Sequence, residues 1–521
     1  MRFSNLLYLP GALLLCMFIN STAAAPDEAL LGKAHGYPYG TYKNWYYDEA
    51  TRVGSFSNLD KILLNRTLER AQFPSMLRRA PVEPTLRYEF QGKSYSIDDF
   101  MQRQRITGLL ILKDGEILVE RYQYDRKPGD RFTSHSMVKS ITSLAIGFAL
   151  EDKSIGSLDD KASKYLPELA GYTYGDTSLR NLLRMSSGVK FTEDYGGQDD
   201  LARFAEIWGK RNLVEAIQTF DQRETEDGTR FHYASVQTCI LGLVIRSATK
   251  KTLSDYMDEK LWKPMGAEED ATWSIDLQGN ETAEGSFNAV LRDYGRLGTL
   301  LAYDGMLNGI QILPKSYLLE ATDWHSQPQA FWPGKATGLF GYGYQFWIMP
   351  GEKRRFALIG VYGQMIYVDP GSKLVMVQTG VARNANIYNE SMGLESYSLW
   401  SALESKNATI QPLATLTIPA GVNQLLGRLA AAWGSSNIDE LMVQYHVNYK
   451  RDGKDRVALR SEFLEGAFSF IRSYEWKLTE FREEGNLAYV KAIVQTELGQ
   501  IRVETQFIKN GDRWYVYGNQ R

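Results

Sequence analysis

Cysteine and histidine are scarce in this chain, with two of the first and five of the second in 521 residues. Cys16 falls in the N-terminal apolar run, so Cys239 stands alone in the remainder; an internal disulfide is excluded, and no Cys/His spacing resembles a zinc site. No metal or other cofactor is expected. His-Glu-x-x-His and Gly-x-Ser-x-Gly are both missing, which removes the usual zinc-protease and α/β-hydrolase readings. After residue 25 no apolar stretch approaches the ~20 residues that a membrane helix needs. Excess charge is missing as well: 59 Lys+Arg against 62 Asp+Glu leave a net charge of −3, which argues against a nucleic-acid or membrane-surface binder. A hydrophobic content of 44 % is ordinary for a globular chain. The length exceeds one domain of ~100–150 residues, which predicts a large catalytic domain with a smaller companion.

The N-terminus carries Arg2, an apolar run from Leu6 to Ile19 interrupted by Pro10 and Gly11, and the small residues Ser21-Thr-Ala-Ala-Ala25. This reads as a secretory signal over 1–25, giving an exported chain, periplasmic or secreted, of bacterial type. Leu-Leu-Leu-Cys16 lacks the small residue that precedes a lipidated cysteine, so no anchor is expected. Residues 37–88, aromatic and charged without a clear period, read as an arm wrapping the main domain. Ile106 to Tyr122 is two β-rich runs around Asp114-Gly115, a hairpin signal. Helical patterns then dominate to about residue 265, and strands return from Gly341: 342–348, 356–359, 364–368 and 374–378. Strands at both ends and helices between them predict an α+β domain over 26–404, one antiparallel sheet carrying an inserted helical half. Residues 405–420 read as a linker. Beyond it, helices with Leu425, Leu429 and Trp433 and from Ile438 to Tyr445, then alternating strands, predict a small α+β domain over 421–521.

Chemistry enters with Ser136-Met-Val-Lys139. Apolar residues at Val138, Ile141, Leu144, Ala145 and Phe148 recur at helical spacing, so Lys139 shares a face with Ser136 and can reach its hydroxyl. A helix head at Ser136 would favour an oxyanion formed there. Ser-x-x-Lys is a weak pattern alone, and a helix-start serine beside a solvated lysine gives the same letters. Two further copies, Ser187 to Lys190 and Ser247 to Lys250, have the surroundings of turn and cap residues. Corroboration comes from Tyr233-Ala-Ser235, 97 residues after Ser136, at the opening of another apolar segment. Two other Tyr-x-Asn copies, at Tyr42 and Tyr517, lie in the arm and at the C-terminus, where no pocket is expected.

Together these motifs resemble the serine β-lactamase-related superfamily, especially its class C-like and 6-aminohexanoate-dimer hydrolase branch. The resemblance covers roughly residues 100–385, through Ser136-Met-Val-Lys-Ser, Ser157-Leu-Asp-Asp, Leu182-Leu-Arg-Met-Ser-Ser-Gly188, Tyr233-Ala-Ser, 284–296 and Gly360-Val-Tyr-Gly-Gln364. It implies the β-lactamase/transpeptidase-like fold and an exported serine hydrolase that cleaves a small-molecule amide or ester through an acyl-enzyme. Ser136 would attack, while Lys139, its ammonium disfavoured by desolvation, and Tyr233 would relay the proton. The resemblance also implies an oxyanion hole from the N–H groups of Ser136 and Val361. Its third motif falls on Leu358-Ile-Gly360, on an edge strand, with a leucine where penicillin-recognising members place a cation. Gly360 would let substrate lie against the strand. Ser235 would hold Lys139 or the substrate, and Tyr195 is a further pocket candidate. Trp347, Tyr362 and Gln364 line the cleft or pack in the core. The competing readings are a non-enzymatic, penicillin-binding-like recognition protein of the cell envelope, and a true β-lactamase or D-amino peptidase. The C-terminal domain resembles the nuclear-transport-factor-like (polyketide cyclase-like) cone fold. It lacks a clustered Asp/His pair, so binding or dimerisation is its expected use. Oligomeric state stays open.

Overall fold

The computed structural model describes residues 25–405 and 418–520, apart from 436, 452, 466–473 and 497–498. Residues 1–24 and 406–417, on which the signal and most of the linker expectation fall, lie outside the described residues.

The expected hairpin is present: β1 (Ile106–Lys113) and β2 (Glu116–Tyr122) pair antiparallel. Asp114 and Gly115 both take positive φ (53° and 79°), the geometry of a primed two-residue turn whose twist matches its strands. After it come the helices α1 (Val138–Glu151), α2 (Val236–Thr249) and α3 (Leu291–Ala302). Five strands follow: β3 (Gly341–Tyr342), β4 (Trp347–Ile348), β5 (Phe356–Gly360), β6 (Gln364–Asp369) and β7 (Leu374–Gly380). The run 342–348, read as one strand, is thus two short ones. The sheet has eight strands in the order β3-β4-β5-β6-β7-β1-β2 and Arg78–Arg79, so β7 closes onto β1 and joins the two ends of the catalytic region. All these pairings are antiparallel except that of Arg78–Arg79 with β2.

Both faces of the sheet are covered, which explains the unbroken apolar run of β1. Leu110 and Leu112 face a core built with α1, α2 and α3, whereas Leu109 and Ile111 face a second core. The arm supplies much of that second core through Tyr37, Val53, Phe56 and Tyr88, joined by Leu31 just before it and by Leu399 and Trp400 of the helix Ser391–Glu404. On the helical side α3 lies close because Gly295 and Gly298 face the strands; a Cβ on either would stand 2.5 Å from Leu110 or Val375 side-chain carbons.

A second sheet, unanticipated in the sequence, has the order Asn65–Leu68, Ala271–Ser274, Phe287–Val290, Arg131–Thr133. Its last strand runs directly into Ser136. Beyond residue 418, helices Ala420–Gly434 and Ile438–Met442 accompany a six-stranded sheet with its own apolar cluster around Leu425, Leu429, Trp433, Trp476, Phe507 and Trp514. The second helix stops at Met442, and Tyr445 opens a strand.

Candidate active site

Ser136 occupies a single 3-10 turn, His135–Met137, just ahead of α1, rather than the first turn of the α-helix itself. Three distant segments fix this turn. Thr133 N–H donates to the Phe56 carbonyl at 2.8 Å, and Ser134 N–H donates to the Phe287 carbonyl at 2.7 Å. His135, at φ 42°, is buried edge-on against Phe56, with ring centroids 4.5 Å apart, and beside Trp45 and Tyr46. Such a conformation is costly for a residue with a Cβ and persists where the surroundings hold it. Burial, with the neighbouring charges of Arg52 and Lys139, lowers the His135 pKa to about 3, so the ring stays neutral. The third segment is the end of β5. A Cβ on Gly360 would stand 2.3 Å from the Ser134 carbonyl oxygen, so the glycine lets β5 press on the nucleophile turn. Strand-to-turn packing is thus a reason for this glycine beside the close approach of substrate read from sequence, and Gly360 also lines the cavity over Ser136. Nor is β5 an edge strand, although β4 pairs only with Phe356 and Ala357 and leaves the Ser136 end of β5 open on that side.

Lys139 is 2 % exposed, and its Nζ donates to Ser136 Oγ at 2.9 Å and to the Glu284 carbonyl at 2.7 Å. Tyr233 stands beside Ser136 and Lys139: Lys139 Nζ lies 5.3 Å from its ring centroid, and both neighbours favour its ionised form. Sequence reasoning expected desolvation to disfavour the ammonium. Burial does pull the Lys139 pKa down, but Tyr233, Glu193 and Glu284 outweigh it and the net shift is upward. Burial likewise pushes the Tyr233 phenol up, opposed by Lys139. At rest the pair is an ammonium beside a neutral phenol, and it titrates as a unit.

Glu193, passed over in the sequence as a loop carboxylate, organises this region. Its carboxylate accepts from Ser235 N–H and Oγ, both at 2.7 Å, and from the Tyr195 hydroxyl at 2.9 Å. Ser235, just before α2, is thus turned to Glu193 and not to Lys139. Tyr195, at φ 64°, is tied into the same clamp, its N–H donating to Asp199 at 2.9 Å. No local pattern links Glu193 to Ser235, so only the fold brings out the pair. Behind Lys139, Cys239 donates to Glu284 Oε2 at 2.9 Å; Cys239 is fully buried, Glu284 partly so at the wall of the second cavity, and desolvation raises both pKa values, which keeps the thiol unreactive.

Two cavities, of about 530 and 540 Å³, meet over Ser136, and Glu193, Tyr195 and Val361 line both. Gly360, Tyr233, Phe340 and Trp347 line the first, where Trp347 stacks on Tyr233 at 5.7 Å. Lys139 and Ser235 line the second together with Tyr42, Trp45, Tyr46 and Tyr47, so the arm motif around Tyr42, expected away from any pocket, borders the site. Tyr362 and Gln364 are buried below, packing on His135 and bonding to the Gly380 carbonyl respectively. Leu358 is buried in the helical-side core and supplies no charge to the cleft. Among the described residues no group of three or more His, Cys, Asp or Glu could hold a metal, and no helix is long and apolar enough to cross a membrane.

The family profile described as Beta-lactamase matches residues 96–380, more than half of the chain. The chain is similar to the 6-aminohexanoate-dimer hydrolase of Paenarthrobacter ureafaciens, 25 % identical over 360 residues, covering 67 % of this chain and 89 % of that protein. A shorter similarity, 25 % over 185 residues, covers 32 % of this chain and 35 % of Protein flp of Staphylococcus aureus. A solved structure from Bacillus anthracis, assigned to the 6-aminohexanoate-dimer hydrolases, superposes with a TM-score of 0.62 at 23 % identity, covering 70 % of this chain and 96 % of that one. The profile match over more than half of the chain shows that it belongs to the Beta-lactamase family and, with the 6-aminohexanoate-dimer hydrolase similarity, that it is a serine hydrolase of that fold.

Proposed function

We propose that the chain hydrolyses an amide or ester bond of a small molecule through an acyl-enzyme on Ser136. The observation that carries this reading is the Lys139 Nζ to Ser136 Oγ hydrogen bond with Tyr233 alongside, where the two cavities meet. Once the Lys139/Tyr233 pair has lost one proton to solvent it accepts that of Ser136 Oγ as the oxygen attacks the carbonyl, the Lys139 ammonium lowering the cost of a transient phenolate. The oxyanion lies against the N–H groups of Ser136 and Val361, and one such donor is worth about 10²–10³ in rate. Tyr233 returns the proton to the departing amine or alcohol, and water then releases the acid by the same relay. Glu193 holds the relay through Ser235 and Tyr195. Leu358, in place of a cation, favours simple amides and esters over β-lactams and carboxylate-bearing peptides.

The N-terminal sequence supports export, so the reaction is placed in the periplasm or outside the cell. Residues 421–521, with a separate apolar cluster, fit a nuclear-transport-factor-like module used for binding or assembly. The test is a fluorophosphonate probe with peptide mapping. The expected adduct is on Ser136 and is lost in Ser136→Ala; undiminished labelling of that variant refutes the assignment.

A further inference from the structure

The two cavities differ in chemistry, and Tyr233 tells them apart. Among the described residues, it lines the first cavity and not the second. On the acyl-enzyme reading, on which this inference rests, the leaving heteroatom must come within hydrogen-bond reach of the Tyr233 hydroxyl to receive its proton. The body of the leaving group then extends into the first cavity, and the acyl part is left to the second, under the arm.

The walls of the first cavity are mostly hydrocarbon, with Thr337, Asn386 and Tyr388 as uncharged polar residues among them. Leu339, Phe340, Trp347, Ile359, Ile387 and Leu394 form the hydrocarbon part, and Leu394 is 53 % exposed although it is a leucine. No lysine or arginine lines this cavity among the described residues. Its one carboxylate, Glu193, already accepts three hydrogen bonds from Ser235 and Tyr195. A carboxylate-bearing leaving group would meet that anion with no compensating cation, whereas an alkyl chain would exchange water for apolar contact.

We propose that the first cavity is a leaving-group site for hydrocarbon, so that the substrate is an ester or amide of an apolar, uncharged alcohol or amine several carbons long. For an ester, the Ser136 Oγ–carbonyl carbon bond forms and the carbonyl carbon–alkoxy oxygen bond breaks. The serine proton passes through Tyr233 to the alkoxy oxygen, the alcohol leaves, and water cleaves the acyl-enzyme to the acid and Ser136.

The experiment uses the full chain and two ester series followed by pH-stat titration: acetates of methanol to hexanol, and methyl esters of acetic to octanoic acid. In the acetate series kcat/KM is expected to rise about fourfold per methylene, the equivalent of ~0.8 kcal/mol per buried CH₂. The methyl ester series is expected to rise less steeply. Leu339→Asp and Leu394→Asp are each expected to lower the hexyl-to-methyl ratio of the acetates at least tenfold, without a matching change in the acid series. A flat acetate series, or a steeper slope along the acids, overturns the proposal while turnover remains dependent on Ser136. Turnover that survives Ser136→Ala refutes the acyl-enzyme reading instead.

Discussion

Replacing Gly360 by alanine separates two explanations for that glycine. Residue 360 has φ −120° and ψ 156°, which alanine adopts without strain, so any loss comes from contact and not from backbone preference. The added Cβ would lie 2.3 Å from the Ser134 carbonyl oxygen and 3.1 Å from the Cβ atoms of His135 and Gln364. Ordinary contact begins at 3.4 Å, so strand or turn must retreat by about 1 Å. Neither yields easily, since β5 is paired along its length with β6 and Ser134 is tethered to Phe287. Overpacking of this kind costs about 1–3 kcal/mol. A shift of about 1 Å at the nucleophile is worth about 10²-fold in rate. The expected result for Gly360→Ala is a lower Tm, together with about a 100-fold loss both in kcat/KM on a small ester and in the rate of fluorophosphonate labelling. Labelling at the normal rate with turnover lost only on bulky substrates would mean that the glycine clears room for substrate, and the strand-to-turn argument would fall.

Lys139→Ala and Tyr233→Phe should each lower kcat by about 10²–10⁴-fold, with the double variant little worse than the worse single one; additive losses would assign them independent tasks. The Lys139 and Tyr233 pKa values both lie above the ordinary 10.5 and 10.0, so the deprotonated pair is scarce at pH 7 and grows as pH rises. Accordingly kcat/KM should climb between pH 7 and pH 9, whereas a plateau reached by pH 7 contradicts the upward shifts. Glu193→Gln, by removing a charge that holds the Lys139 ammonium, should move this rise to lower pH. A chain ending at Ser405 should fold and keep small-ester turnover, because the apolar cluster beyond residue 418 shares no residue with the two catalytic cores. A folded truncation, checked by circular dichroism, with turnover reduced by orders of magnitude would show that the C-terminal region completes the site.

What the sequence made legible was local. Ser136 and Lys139 sit one helical turn apart, so spacing alone placed their side chains together, and Asp114-Gly115 carried its turn in its own conformational preferences. The closing of β7 onto β1 followed from strand-like runs at both ends of the region. Contacts made by the fold were hidden. The direction of the Lys139 shift depends on Glu193 and Glu284, which arrive from loops far along the chain, and burial alone pointed the other way. Ser235 was read as holding Lys139 or the substrate because it belongs to a motif, whereas its hydrogen bonds in the structure go to Glu193. Tyr42, Trp45, Tyr46 and Tyr47 have no period that marks them as cavity wall. Gly360 was recognised as necessary, but its contact with the Ser134 carbonyl was not visible in the sequence.

The turn that carries Ser136 is gripped by Phe56 and Trp45 from the arm, by Phe287 from the small sheet and by Gly360 from β5. These contacts join segments made early and late in synthesis, and Leu109 finds its partner Gln378 only when most of the catalytic region exists. Pairings of such sequence separation form slowly and late, because the entropy of closing the loop is spent before the contacts repay it. A half-folded chain lacks the contacts that hold the Ser136 turn, so activity is expected only once the last strands have docked. The first adduct of a refolding chain with a serine probe should then mark the moment at which the sheet closes.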